Sequence, residues 1–99
     1  MRKTIKHLSS LDDLKNFLEE FFKEKRIEIY LFGSRARGTE KAGSDVDLAI
    51  ISDTSLSQDL AILREILEES NLPYKVDIVD INQAPYLKKV ILKEGKRWI

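Results

Sequence analysis

The segment 45–51 (DVDLAII) constrains the fold of this chain most, because its two sides differ in chemistry. Alternate side chains of a β-strand point to opposite faces of the sheet, so Asp45 and Asp47 share one face, about 7 Å apart at their Cα atoms. The other face carries an apolar row: Val46, Leu48 and Ile50. The apolar row needs a covering layer of helices, whereas neighbouring carboxylates repel each other and are costly to bury unpaired.

Apolar residues at helical spacing predict helices over 10–25 and 55–69. Ser10 is a suitable N-cap for the first helix, and the helix dipole stabilises the acidic residues of its first turn. Pro85 suits the first turn of a last helix, which Gly95 can end. These three helices are expected to cover a sheet.

Two further strands are predicted from short β-branched and aromatic runs, Ile27–Phe32 and 74–81. The tail 96–99 either adds a short strand or packs against the core. The order α-β-β-α-β-α predicts an α/β (α+β) fold with a mixed, mostly antiparallel sheet of three or four strands. A chain of 99 residues is expected to form one domain over 1–99.

The charge balance bears on which partners the chain binds. Lys plus Arg and Asp plus Glu both number 17, which argues against a generally basic nucleic-acid-binding surface. Cysteine is absent, so disulfides and thiolate metal sites are excluded. The sequence has no apolar run long enough to span a membrane and no signal-peptide pattern at its start, which predicts a cytoplasmic protein.

The paired carboxylates of the predicted second strand suggest a metal site. A hard divalent cation removes the repulsion between Asp45 and Asp47, and Mg²⁺ prefers oxygen ligands such as carboxylate and phosphate. On its own, D-x-D is more often an ordinary pair of charges at a solvent-facing strand end. Neighbouring residues decide between these interpretations.

A glycine-serine pair with two arginines lies where the first predicted strand ends. Gly33 allows a phosphate to approach the backbone, and the Ser34 hydroxyl can donate to it. Arg35 and Arg37 are cationic donors suited to phosphate. Read alone, this run is a basic turn of a common kind. If the first two strands are antiparallel, however, Gly33 and Asp47 lie at the same end of the sheet.

The run 33–38 (GSRARG), followed by 44–48 (SDVDL), resembles the signature of the DNA polymerase β-type nucleotidyltransferase superfamily. Within it, the chain most resembles the minimal nucleotidyltransferases of bacteria and archaea. The family pattern implies a third carboxylate on a later strand, for which Asp77 and Asp80 are the candidates. These two face opposite sides of a regular strand, and we predict Asp77 because it lies in the middle of the strand.

The resemblance implies a reaction as well as a fold. One Mg²⁺ would hold the triphosphate of ATP or another nucleoside triphosphate, and a second would lower the pKa of an attacking hydroxyl. Asp45, Asp47 and Asp77 would be the catalytic carboxylates and the metal ligands. Gly33, Ser34, Arg35 and Arg37 would bind the nucleotide.

The resemblance also implies a partner. Minimal nucleotidyltransferases are typically encoded beside a small helical HEPN protein, and the pair commonly acts as toxin and antitoxin. The expected activity is transfer of AMP from ATP to a tyrosine of the HEPN toxin. The alternative is a non-catalytic antitoxin that neutralises its partner by complex formation, and a nucleotide sensor is a third account. The sequence leaves the base preference and the oligomeric state open.

Overall fold

The computed structural model describes residues 8, 10–33, 45–70 and 72–99. The strands within these ranges are β1 (Ile27–Phe32), β2 (Val46–Ser52), β3 (Val76–Asp80) and β4 (Lys96–Arg97). They form one sheet in the order β3-β2-β1-β4. The central strand β1 is antiparallel to both β2 and β4, whereas β2 and β3 are parallel. The predicted mixed, mostly antiparallel sheet is therefore confirmed.

The helices are α1 (Leu11–Phe21), α2 (Ser57–Glu68) and α3 (Lys88–Glu94), and α3 follows a 3₁₀ turn at Pro85–Leu87. Ser10 is the N-cap of α1, as predicted, and its hydroxyl accepts the backbone N–H of Asp13 at 3.1 Å. Among the described residues, no helix has the length and apolar character needed to cross a membrane.

The predicted first helix and third strand extend beyond the observed elements. The first helix ends at Phe21 rather than near residue 25, because buried Phe22 leaves helical geometry and a tight turn follows. In that turn the backbone N–H of Lys25 donates to the carbonyl of Phe22 at 2.9 Å. Strand β3 begins at Val76 rather than at residue 74, since Pro73 and Tyr74 lie in a bend.

Gly95 ends α3 as predicted, but for a different reason than a left-handed cap. Its backbone is extended, with φ −79° and ψ 160°, which any residue can adopt. A Cβ at this position would lie 2.7 Å from the carbonyl oxygen of Ile91 and 3.3 Å from that of Leu31. The glycine is therefore required by the close approach of α3 to β1.

The two faces of the sheet are covered differently. Helices α1 and α2 pack on one face, where Leu14, Leu18, Leu60 and Leu63 contact the apolar row of β2, and this cluster is the main core. Helix α3 packs on the other face, where Ile91 joins a small cluster with Ala49 and Ile81. The apolar row of β2 thus faces α1 and α2, as predicted. The face with the carboxylates carries only the smaller cluster.

Candidate functional site

The end of β1 and the start of β2 lie side by side. The antiparallel register pairs Phe32 with Asp47, so Gly33 follows directly at the same end of the sheet. Asp45 immediately precedes β2 and is exposed. The structure therefore brings Gly33 and the two aspartates to the same end of the sheet, as the sequence predicted for antiparallel strands.

The parallel pairing of β2 with β3 brings in a third carboxylate. Asp77 is the register partner of Asp47, so both side chains stand on the same face of neighbouring strands, which lie about 4.8 Å apart. Both residues are half-buried. Asp45 occupies the next position on the same face of the chain. Asp47 therefore lies between two other carboxylates.

This crowding shows in the acidity of Asp47. Burial raises the pKa of its carboxyl above the ordinary value, and the negative charges of Asp77 and then Asp45 raise it further. All three causes disfavour the ionised form of Asp47. A bound cation would reverse the electrostatic part of this effect, because it would replace repulsion between the carboxylates by attraction to a shared ion.

Asp80 lies elsewhere. Its register partner is Ile50, on the face that packs against α1 and α2, and its side chain is only 7% exposed. Its Oδ1 accepts the backbone N–H of Asn82 at 2.9 Å and so shapes the turn after β3. Asp80 is a turn-forming residue, and Asp77 is the carboxylate beside Asp47.

Gly33 is fitted closely to the aspartates. Its φ of +79° lies in the left-handed region that side chains disfavour. A Cβ built on Gly33 would lie 2.5 Å from Oδ2 of Asp47. Any larger residue here would both strain the backbone and displace the Asp47 carboxylate. The absence of a side chain at Gly33 therefore lets the Asp47 carboxylate lie directly against the backbone at the end of β1.

The donor chemistry of the three aspartates suits magnesium, which prefers carboxylate and phosphate oxygens. Within the described ranges, no three acidic or histidine side chains surround a single point as metal ligands. The fit rests on the neighbouring pair Asp47 and Asp77, with exposed Asp45 one same-face position away. This pair supplies adjoining carboxylates for one ion, and Asp45 could add a third.

Three residues predicted to bind the nucleotide, Ser34, Arg35 and Arg37, lie outside the described residues. Their predicted contacts with phosphate stay predictions. A groove beside β3, lined in part by Arg64 and Lys75, reaches Asp77 and was not predicted from the sequence. Hydrophobic periodicity identifies a strand but does not say whether it lies at the edge of a sheet, so no local signal marked this groove.

Comparisons with known proteins identify the family of the chain. A family model described as "Polymerase beta, Nucleotidyltransferase" matches residues 13–99. The chain is 46% identical over 55 residues to a probable protein adenylyltransferase MntA of Haemophilus influenzae, which covers 52% of this chain and 46% of that protein. The chain therefore spans about half the length of this curated relative.

Solved structures share the fold. A crystal structure of a toxin-antitoxin with AMP-PNP matches with a TM-score of 0.61 and 26% identity, covering 86% of this chain and 72% of that one. A crystal structure of the toxin-antitoxin MntA-HepT matches with a TM-score of 0.52 and 22% identity, covering 86% and 68%. At that identity the second match shows likeness of fold alone.

Proposed function

Because the chain belongs to the polymerase beta nucleotidyltransferase family, we propose that it catalyses magnesium-dependent transfer of a nucleoside monophosphate to a hydroxyl group. The donor is a nucleoside triphosphate, most simply ATP. The acceptor is a tyrosine of a partner HEPN toxin, so that the chain acts as an antitoxin. The single observation that carries the proposal is the placement of Asp47 beside Asp77, with Gly33 in close contact with the Asp47 side chain.

Two relatives support the adenylyl donor and the protein acceptor. The Haemophilus influenzae relative is described as a probable protein adenylyltransferase, and one structural neighbour is a toxin-antitoxin with AMP-PNP. A reaction that consumes ATP and modifies a toxin requires both in one compartment, so we place the protein in the cytoplasm.

In the proposed reaction the acceptor oxygen forms a bond to the α-phosphorus of the nucleotide. The bond from that phosphorus to the oxygen bridging to the β-phosphate breaks, and pyrophosphate leaves. Asp77 accepts the proton of the attacking hydroxyl. Positioning and charge neutralisation supply most of the rate in such transfers, and three carboxylates, a glycine turn and phosphate donors are sufficient machinery.

Asp45, Asp47 and Asp77 would hold the magnesium. When bound, this ion neutralises triphosphate charge and lowers the pKa of the attacking hydroxyl. Gly33, which has no side chain, would let a phosphate approach the backbone beside Asp47. Ser34, Arg35 and Arg37 would donate hydrogen bonds to the β- and γ-phosphates.

The test combines the chain, the partner protein and each nucleoside triphosphate in turn, with Mg²⁺ or with a chelator. We expect pyrophosphate release, and one adenylyl group added to a partner tyrosine, only with ATP and Mg²⁺. Asp77→Asn is the matched inactive variant. Neutralisation of the toxin by the chain without nucleotide, and equally by Asp77→Asn, would favour the non-catalytic antitoxin instead.

A further inference from the structure

Strand β3 is the outer strand of the sheet on the side of the carboxylates. The hydrogen bonds at the two ends of its ladder show which residues bond to β2: the carbonyl of Lys75 accepts from the N–H of Val46, and the N–H of Ile81 donates to the carbonyl of Ile50. Odd-numbered residues of β3 therefore bond inward. The N–H and C=O groups of Val76, Ile78 and Asp80 point outward, away from β2.

Toward the carboxyl end of β3, two of the outward carbonyls already accept hydrogen bonds from other groups. The guanidinium Nη2 of Arg64 donates to the carbonyl of Ile78 at 3.0 Å. The carbonyl of Asp80 accepts the N–H of Gln83 at 2.9 Å and that of Ala84 at 3.2 Å. Among the described residues, the groups left for a new strand are the N–H and C=O of Val76 and the N–H of Ile78, on either side of Asp77.

A groove of about 440 Å³ runs along this stretch. Apolar and aromatic side chains such as Leu72 and Tyr74 line it, together with two cations, Arg64 and Lys75, and two carboxylates, Glu68 and Asp77. The groove thus offers an apolar wall for a side chain that flanks the acceptor residue, and its two cations are balanced by its two carboxylates. It ends at the carboxylate that we assign to the proton transfer.

We propose that the acceptor segment of the partner protein binds as an added antiparallel strand on the outer edge of β3, with its hydroxyl-bearing residue opposite Asp77. This inference rests on the proposed function and specifies how the acceptor is presented. Residues opposite each other on antiparallel strands have Cβ atoms about 4.5–5.5 Å apart on one face. The acceptor side chain then lies on the same face as Asp47 and Asp77.

The pattern of backbone groups specifies the rest of the contact. Because Asp77 bonds inward to β2, the residue opposite it turns its own amide away from β3. Its two flanking residues bond to Val76 and Ile78, and the Ile78 carbonyl can accept a second bond beside that of Arg64. A second copy of this chain paired about Asp77 would instead set two carboxylates opposite each other, which is unfavourable.

The test uses the full chain, labelled for amide NMR, and a short capped peptide with one central tyrosine between alternating threonine and valine residues. With ATP and Mg²⁺ we expect adenylylation of the tyrosine, and slower hydrogen exchange at the amides of Val76 and Ile78. Methylating the backbone nitrogens of the two flanking residues should lower transfer about tenfold or more. Methylating the tyrosine's own nitrogen should not, because that amide faces away.

Val76→Pro extends the test to the partner protein. Proline is tolerated at the outer edge of a sheet, and here it removes only an outward N–H. It should lower transfer to the partner protein more than Val76→Thr does, and thermal melts of both variants verify folding. If the two methylated peptides behave alike, and Val76→Pro matches Val76→Thr, the edge-binding inference is wrong.

Failure of the inference is distinguishable from failure of the proposed function. Modification of the partner protein with unchanged exchange at Val76 and Ile78 overturns the edge-binding inference and leaves the function standing. Absence of any modification, of partner or peptide, overturns the function and the inference with it.

Discussion

The two faces of β2 show how one strand serves stability and chemistry separately. Toward α1 and α2, Val46, Leu48 and Ile50 are fully buried in the main core. Toward the other face, Asp47 is half-buried beside Asp77, and Ala49 and the partly buried Ile51 belong to the smaller apolar cluster. The faces alternate residue by residue, so each function is encoded at every second position.

Substitutions on the two faces of β2 should therefore affect different properties of the protein. On the helical face, close packing makes every lost methylene costly to folding. On the carboxylate face, the charges repel one another and contribute little to folding in the absence of a cation. Substitutions on the two faces should therefore separate loss of stability from loss of activity.

The largest expected effect is on activity, from a change on the carboxylate face. Asp77→Asn should lower adenylyl transfer by at least roughly 10²–10³-fold, the scale seen when one electrostatic contact to a transition state is removed. The variant should fold normally, because the amide occupies nearly the same volume. Initial rates of pyrophosphate release measure the loss. Asp80→Asn, on the other face, is the control, and an equal fall there would remove the distinction between the faces.

On the helical face the expected effect is on folding. Leu48→Ala deletes a fully buried side chain at the centre of the main core and should cost about 2–5 kcal/mol in the free energy of unfolding. Urea unfolding followed by circular dichroism gives this number. Ile62→Ala, at an exposed position of α2, is the matched control and should change stability far less. Comparable losses in both variants would contradict the assignment of the core.

Much of this two-sided design was predictable from sequence. The alternation in 45–51 predicted which residues of β2 face the helices, and parity within β3 separated Asp77 from Asp80. The antiparallel pairing of β1 with β2 meets the condition under which Gly33 and Asp47 were expected at the same end of the sheet. These features are local, because each depends on spacing along one or two neighbouring strands. The roles of the aspartates in metal binding and catalysis stay predictions.

What the sequence left open depends on contacts between distant segments. The parallel pairing of β3 at the outer edge, and hence the groove that reaches Asp77, follows from strand order rather than from periodicity. The placement of α3 on the carboxylate face depends on Gly95, whose close contacts are with Ile91 and Leu31. The end of α1 was predicted too late, because the helical spacing of apolar residues continues through Phe22 although the backbone leaves helical geometry there.

A smaller effect is expected at Gly33, where the chain turns beside the carboxylates. Gly33→Ala should cost roughly 1–2 kcal/mol of stability, because the residue has a positive φ. It should also lower transfer, since the new methyl group would meet Oδ2 of Asp47. Chemical unfolding and transfer assays measure the two effects. In Gly33→Ala/Asp47→Ala the two stability changes should not add, because the shortened side chain no longer meets the new methyl group; simple additivity would show that the residues are not in contact.

The smallest expected effect is the dependence of stability on the charge of Asp47. Its pKa in the folded protein is raised, chiefly by burial and then by the charges of Asp77 and Asp45. The folded state therefore binds this proton more tightly than the unfolded chain does, and stability falls as pH rises from the ordinary value of 3.8 through the raised pKa. Above that window the repulsion is present in full; below it, the carboxyl is neutral and the cost disappears.

Asp47→Asn removes the ionisable group, so in chelator at neutral pH it should leave stability unchanged or raise it by up to roughly 1 kcal/mol, after allowing for solvent screening. The gain should vanish on acidification, and Mg²⁺ should reverse its sign by stabilising only the natural protein. Thermal melts across pH, with chelator and with Mg²⁺, measure all three. A marked loss of stability in Asp47→Asn at neutral pH would mean that Asp47 holds the fold together, as the residues of the opposite face do.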